Sequence, residues 1–256
     1  MSHTTGKSRV GLESWYAPSL RLTTFHRAGA VSIAEGQWKA VVGEEPEGSI
    51  AKPKTGERAE VGPFGAARLT LSLKSREGRI DWTLSDADPF EEVETPTLVS
   101  RLKVFENLMR RWLNDPAPEM TRIAVGGIAA LPTTSLEEGY LTLSKYLEFD
   151  FKPANSSDFL FQINRPRPSA SIPGFSVNRL TKWSVSKSFL GTMTISPSDE
   201  KPFAVENEGP TQSYCQVELD INTVPEADKP LPRDKVALQF DELVELFTEI
   251  VREGDV

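Results

Sequence analysis

The sequence predicts an α+β fold: largely antiparallel sheets packed with two or three helices, in an order compatible with two similar β/α halves. Three observations lead there. Period-two segments follow one another across short turns in the N-terminal third; a long apolar helical stripe closes each half; and the regular strand–helix alternation of a parallel, doubly wound sheet is missing.

Leu20, Leu22 and Thr24 alternate with Arg21 and Thr23, the pattern of a half-buried strand. Residues Ala30 to Ala34 and Gln37 to Val42 read as a hairpin around Glu35-Gly36. Residues 44–65 carry Pro46, Gly48, Pro53, Gly56, Gly62, Pro63 and Gly65, so a long exposed loop is expected there. Strands resume at Arg68 to Leu73 and, after Glu77-Gly78, at Arg79 to Leu84. Leu98, Leu102, Phe105, Met109 and Trp112 form one stripe of a helix from Thr97 to Leu113, with Thr95 as N-cap and Pro96 in the first turn.

The second half opens with the small, apolar run Arg122 to Leu131. Ser135 and Glu138 make a capping box for a helix carrying Leu136, Tyr140, Leu143 and Leu147. Strands are expected at Phe149 to Phe151, Phe159 to Ile163, Phe189 to Ile195 and Tyr214 to Ile221. A closing helix spans Asp234 to Arg252, between Pro232 and Gly254. The organisation is therefore a β-rich half, residues 1–115, and an α+β half, residues 116–256, each ending in a long helix.

Composition narrows the function. No stretch is apolar enough for a membrane span, and the N-terminus lacks the apolar core of a secretory signal. One cysteine, Cys215, suits a reducing compartment, so a cytoplasmic protein with no membrane partner is expected. Net charge −8 opposes general attraction to nucleic acid. Gly6-Lys7-Ser8 is not a phosphate-binding loop, because Met1 stands where the motif needs its first glycine. Two histidines, His3 and His26, and one cysteine cannot assemble a usual structural zinc site. His26 and Cys215 both fit structural roles better than catalytic ones. Carboxylates crowd between Asp81 and Glu94, and Glu148, Asp150 and Lys152 alternate as in some metal-dependent nucleases; the helix dipole and solvation explain the first group more simply. No catalytic residue, metal ligand set or cofactor is assigned.

The most distinctive segment is FQINRPRPSASIPGFSVNRLTKWSVSKSF, residues 161–189, inside a stretch without acidic residues between Asp158 and Asp199. It repeats Asn164-Arg165 as Asn178-Arg179, and its prolines predict a stiff loop. Forked guanidinium donors and an indole suit an anionic ligand. The candidate binding residues are Asn164, Arg165, Arg167, Asn178, Arg179, Lys182, Trp183 and Lys187. Ion pairing of these arginines to carboxylates elsewhere in the fold is the competing account.

The helix ending Arg111-Trp112-Leu113, the strand Thr121 to Gly126 and the strand Val217 to Asn222 before a C-terminal helix together make the chain resemble a sporadically distributed bacterial protein family of unknown function. The chain departs from that pattern at Gly126-Gly127-Ile128, where a more aromatic, asparagine-bearing strand is expected. The resemblance implies a bacterial, soluble protein associated with mobile elements or defence, and it carries over no catalytic residues. The expected function is a non-enzymatic binding or adaptor subunit, with a protein partner or a second copy of itself. The alternatives are nucleic-acid or nucleotide binding through residues 161–189, and a metal-dependent hydrolase.

Overall fold

In the computed structural model, residues 9–27, 36–65, 69–87, 96–149, 157–188, 191–195, 203–207, 212–225 and 229–254 are described. The first half contributes β1 (Tyr16–Phe25), α1 (Gln37–Val42), β2 (Gly48–Lys52), β3 (Glu57–Phe64), β4 (Leu69–Arg76), β5 (Arg79–Asp86) and α2 (Leu98–Asn114). The second contributes β6 (Arg122–Thr133), α3 (Leu136–Leu143), β7 (Leu160–Asn164), β8 (Arg167–Pro168), β9 (Ser176–Ser188), β10 (Gly191–Ile195), β11 (Phe203–Asn207), β12 (Gln212–Thr223) and α4 (Val236–Glu253).

Period-two alternation drives the sheet. Leu20 and Leu22 of β1, Leu69, Leu71 and Leu73 of β4, and Ile80, Trp82 and Leu84 of β5 all turn to one face and are buried. Register keeps those faces together, since Leu84 pairs with both Leu20 and Leu71. The result is one ten-stranded antiparallel sheet in the order β2-β3-β4-β5-β1-β6-β12-β9-β7, with β8 also on β9; β10 and β11 form a separate two-stranded ladder. The α+β expectation holds, with four helices among the described residues rather than two or three.

The helices cover one face: α2 packs on β1, α4 on β6 and β12, α3 on β9 and β12, and α1 on α2. Both halves run through the same plan. An opening strand (β1 or β6) leads to a short helix and then to further strands; the last strand (β5 or β12) pairs back onto the opening one, and a long helix closes the half. The two opening strands pair with each other, so residues on either side of 115 share one sheet.

Several elements differ from expectation. Gln37–Val42 is a helix and not a hairpin arm, bracketed by Gly36 (φ 97°) and Gly43 (φ 92°). Its Trp38 and Val41, one turn apart, are buried, and Trp38 stacks on Trp82 at 6.1 Å. Residues 30–34 lie outside the described residues. The expected loop at 44–65 is largely the β2–β3 hairpin. Pro63 is tolerated in β3 because β2 pairing stops at Val61, leaving no partner strand on that side. Gly62 leaves room for Trp38, whose ring a Cβ there would approach to 3.2 Å.

The α2 stripe is as expected, but its cap is Thr97, whose hydroxyl accepts from Ser100 N at 3.2 Å; Thr95 lies outside the described residues. Ser135 caps α3 as expected, accepting from Glu138 N at 3.2 Å. The Glu138 carboxylate accepts from Thr134 N rather than completing the box on Ser135. Phe149 is not in a strand, and residues 150–151 lie outside the described residues. Of the expected 189–195 strand, β10 begins at Gly191, and 189–190 lie outside the described residues.

The core contains all five tryptophans, each under 2% exposed. They form two groups. Trp82 joins Trp38 and Trp112 within the first half, and Trp15 of the first half joins Trp183 and Tyr146 of the second.

Candidate binding surface on the open sheet face

The basic segment 161–189 is strand, not loop: β7, β8 and β9 account for most of it. Alternation then separates the eight candidate residues. Trp183 faces the helices, fully buried, stacked on Tyr146 at 5.4 Å and edge-on to Trp15 at 6.5 Å. It is a core residue and cannot stack on a ligand. Arg165, Arg167 and Arg179 lie on that same helix-bearing side, at the β7 edge. Arg165 pairs with Glu148 at 2.7 Å, and Arg167 approaches Glu249 of α4 at 3.9 Å. Both are therefore ion-paired within the fold. Lys182 lies on the opposite face, 3.2 Å from Glu218, and Lys187 is exposed at the end of β9.

Asn164 and Asn178 also occupy the opposite face. Because β7 and β9 are antiparallel neighbours, the two Asn-Arg dipeptides come side by side: Arg179 N donates to Asn164 Oδ1 at 3.0 Å, and Asn164 Nδ2 to Asn178 Oδ1 at 3.0 Å. Asn178 Nδ2 donates to Asn222 Oδ1 on β12 at 3.1 Å, and Arg122 on β6 donates to the same oxygen at 2.8 Å. The row continues across β1. The Phe25 ring has the Arg122 guanidinium 4.8 Å from its centroid and that of Arg79 at 5.6 Å. Arg79 then grips Asp81 through Nε and Nη2, at 2.8 and 2.7 Å. One polar row thus crosses six strands, β7 to β5, on the face that none of the described helices covers. Burial pulls the pKa of Arg122 down; Asp220 opposes this and the charge of Arg79 adds to it.

Beside that row, β2 to β5 form a cleft of about 460 Å³ lined by Ile50, Lys52, Glu57, Arg58, Ala59, Lys74, Ser75, Arg76 and Asp81. Lys74 and Arg76 are exposed, and so is Arg21, which lies over Gly126. Ile50 is 64% exposed and Val61 42%, leaving an apolar strip at the cleft's edge. The open face thus gathers Arg21, Lys52, Lys74, Arg76, Arg79, Arg122 and Lys182 against Glu57, Asp81, Glu218 and Asp220. Among the described residues, cations outnumber carboxylates there, although the chain carries net charge −8. These residues were missed as a site, yet the signal was present. Arg21, Lys74, Arg76 and Arg79 occupy the polar positions of strands whose apolar positions were correctly read.

The remaining chemical candidates are engaged elsewhere. His26 is buried, its Nδ1 2.6 Å from Glu119 O and its Nε2 2.8 Å from Thr24 Oγ1; burial lowers its pKa, opposed by the Glu119 bond. Burial pushes the Cys215 thiol up to about 12. Asp81 is held by Arg79 and Thr23, and Asp86 pairs with Arg101. Residues 88, 91, 92, 94, 150 and 152 lie outside the described residues. Among the described residues, no three His, Cys, Asp or Glu side chains are grouped to hold a metal, and no helix is long and apolar enough to cross a membrane. No family model, curated protein or solved structure matches the chain.

Proposed function

We propose that the protein is a non-enzymatic binding or adaptor subunit whose open sheet face receives an acidic, partly apolar segment of a partner protein. The observation that carries this is the cleft between β2 and β5, where exposed Lys74 and Arg76 stand beside exposed Ile50 on a face that none of the described helices covers. Charge and apolar contact so combined suit a peptide, with arginine and lysine setting orientation and Ile50 supplying burial. Nucleic acid is the weaker reading. Its bases need an accessible ring to stack on, but Trp183 is in the core, Phe25 lies between two guanidinium groups, and Tyr16 packs on Tyr214 at 5.6 Å.

The test is a parallel capture experiment at low salt from host lysate, using the wild-type chain and a Lys74→Glu/Arg76→Glu variant. A stoichiometric protein partner retained by the first and lost by the second is the expected result. The same partners on both, or nucleic acid as the main captured species, would reject the reading.

A further inference from the structure

Arg179 is an internal arginine: β9 turns it toward the helices between Val177 and Thr181, and it is 7% exposed. A guanidinium does not shed its proton at physiological pH, so burial leaves a full charge out of water. Proteins offset such a charge with a carboxylate or an array of acceptors, because an uncompensated one is among the costliest groups to bury. Arg101, the other deeply buried arginine among the described residues, follows that rule in the main, donating to Ala17 O and pairing with Asp86, with only its Nε unpartnered. Arg179 does not. Its Nε and Nη2 are inaccessible to water and have no hydrogen-bond partner.

Those two nitrogens form one edge of the guanidinium, the fork that matches two oxygens of a carboxylate or phosphate. Arg79 displays the match on the opposite face, holding both oxygens of Asp81 with the same two atoms. Single atoms of Glu60, Arg101, Arg122 and Arg165 lack a partner too, but each of those side chains is engaged through another of its atoms; four indole N–H groups are also unpartnered in the core. They are neutral donors, however, for which the cost is much smaller.

The surroundings of Arg179 add charge of the same sign. Arg165 N donates to the Arg179 carbonyl at 3.2 Å, which sets the two residues opposite each other, and Arg167 pairs with Val177, the next inward position on β9. The Arg165 and Arg167 side chains are 33% and 39% exposed, so solvent reaches this rim, while the Nε–Nη2 edge of Arg179 is covered and admits an oxyanion only when side chains around it move aside. Glu148 pairs with Arg165, and Glu249 lies 3.9 Å from Arg167.

We propose that Arg179, with Arg165 and Arg167 at its rim, binds an oxyanion, the phosphate or carboxylate group of a ligand, through its Nε–Nη2 edge. This site lies on the helix-bearing side of the sheet and does not depend on the open-face reading.

Thermal unfolding of the full chain in chloride, inorganic phosphate and acetate at matched ionic strength tests the proposal. Stabilisation by phosphate, acetate or both, with Tm raised by about 2–4 °C over chloride near saturation, is expected. A response to phosphate alone assigns a phosphate group, and a response to acetate alone assigns a carboxylate. Arg179→Leu abolishes the response and leaves Tm in chloride unchanged or higher, since it removes a charge without an acceptor. Should that variant not fold, Arg167→Gln serves in its place and weakens the response. Equal Tm in all three salts, or an undiminished response in the Arg179→Leu chain, or in Arg167→Gln where it stands in, overturns the proposal.

Discussion

The carboxylate of Glu242 holds Ser171 twice, accepting from its backbone N–H at 3.0 Å and from its hydroxyl at 2.7 Å. It also accepts from Ala170 N at 2.8 Å and from Ser169 Oγ at 2.8 Å, so this side chain of α4, with Gln239 accepting from the same two serine hydroxyls, fastens the 169–171 turn that leads into β9. Glu242→Ala leaves two backbone N–H groups without acceptors and should cost about 2–4 kcal/mol, read by urea denaturation. A loss below about 1 kcal/mol would mean the turn is fastened by other contacts.

Acid should unfold the protein in two stages. The pKa of His26 is lowered from 6.5 by burial, so its folded state binds protons less readily than the unfolded chain. Its contribution is complete above pH 6.5 and is lost as pH falls through the lowered value. For Glu242, burial raises the pKa, but the bonds from Ala170, Ser171 and Ser169 outweigh this and bring it below 4.5. Its contribution is therefore present above pH 4.5 and disappears at lower pH. Replacing His26 by Gln should flatten the stability profile just below pH 6.5 while leaving the fall below pH 4.5. An unchanged profile would remove His26 as its cause.

Gly127 of β6 sits opposite Leu20 of β1. A Cβ there would stand 2.6 Å from the Ser19 carbonyl oxygen, so Gly127→Ala should destabilise by about 1–3 kcal/mol. At Gly126 the contacts are 3.1 Å to Leu219 O and 3.3 Å to the movable Arg21 guanidinium, and the cost there should be smaller. Chemical denaturation of both alanine variants gives the order, and the reverse order would refute this account of the seam.

Cys215 should be inert while the protein is folded. It is fully buried, and its thiolate is the reactive form. Modification by a maleimide should proceed at the rate of unfolding and reach completion only in denaturant. Rapid labelling in native buffer would show that β12 opens locally.

Much of this architecture was legible because its elements repeat one chemical rhythm. Leu69, Leu71 and Leu73 declare β4, and Leu98 to Trp112 declare α2. Where another requirement interrupts the rhythm, reading fails. Pro63 and the glycines of residues 44–65 suggest a loop until β2 is known to end at Val61. In β9, Val177, Thr181, Trp183 and Val185 alternate properly, but Arg179 occupies an inward position and masks the strand. The basic residues were noticed, but their distribution over two faces was not, since it depends on that strand. The meeting of Arg79 and Arg122 at Phe25 was beyond reach, because it requires the registers of β1 with both β5 and β6.

The β1–β6 ladder, in which Leu22 meets Val125, has a consequence for how the chain reaches this state. Contacts between residues so distant in sequence form late, after a large loss of chain entropy. Until β6 has emerged and docked, the ten residues of β1 present an unpaired edge, already aligned on β5 and open to any other strand. During synthesis, the first half must therefore wait with an adhesive edge uncovered, and its natural cap is the opening strand of the second.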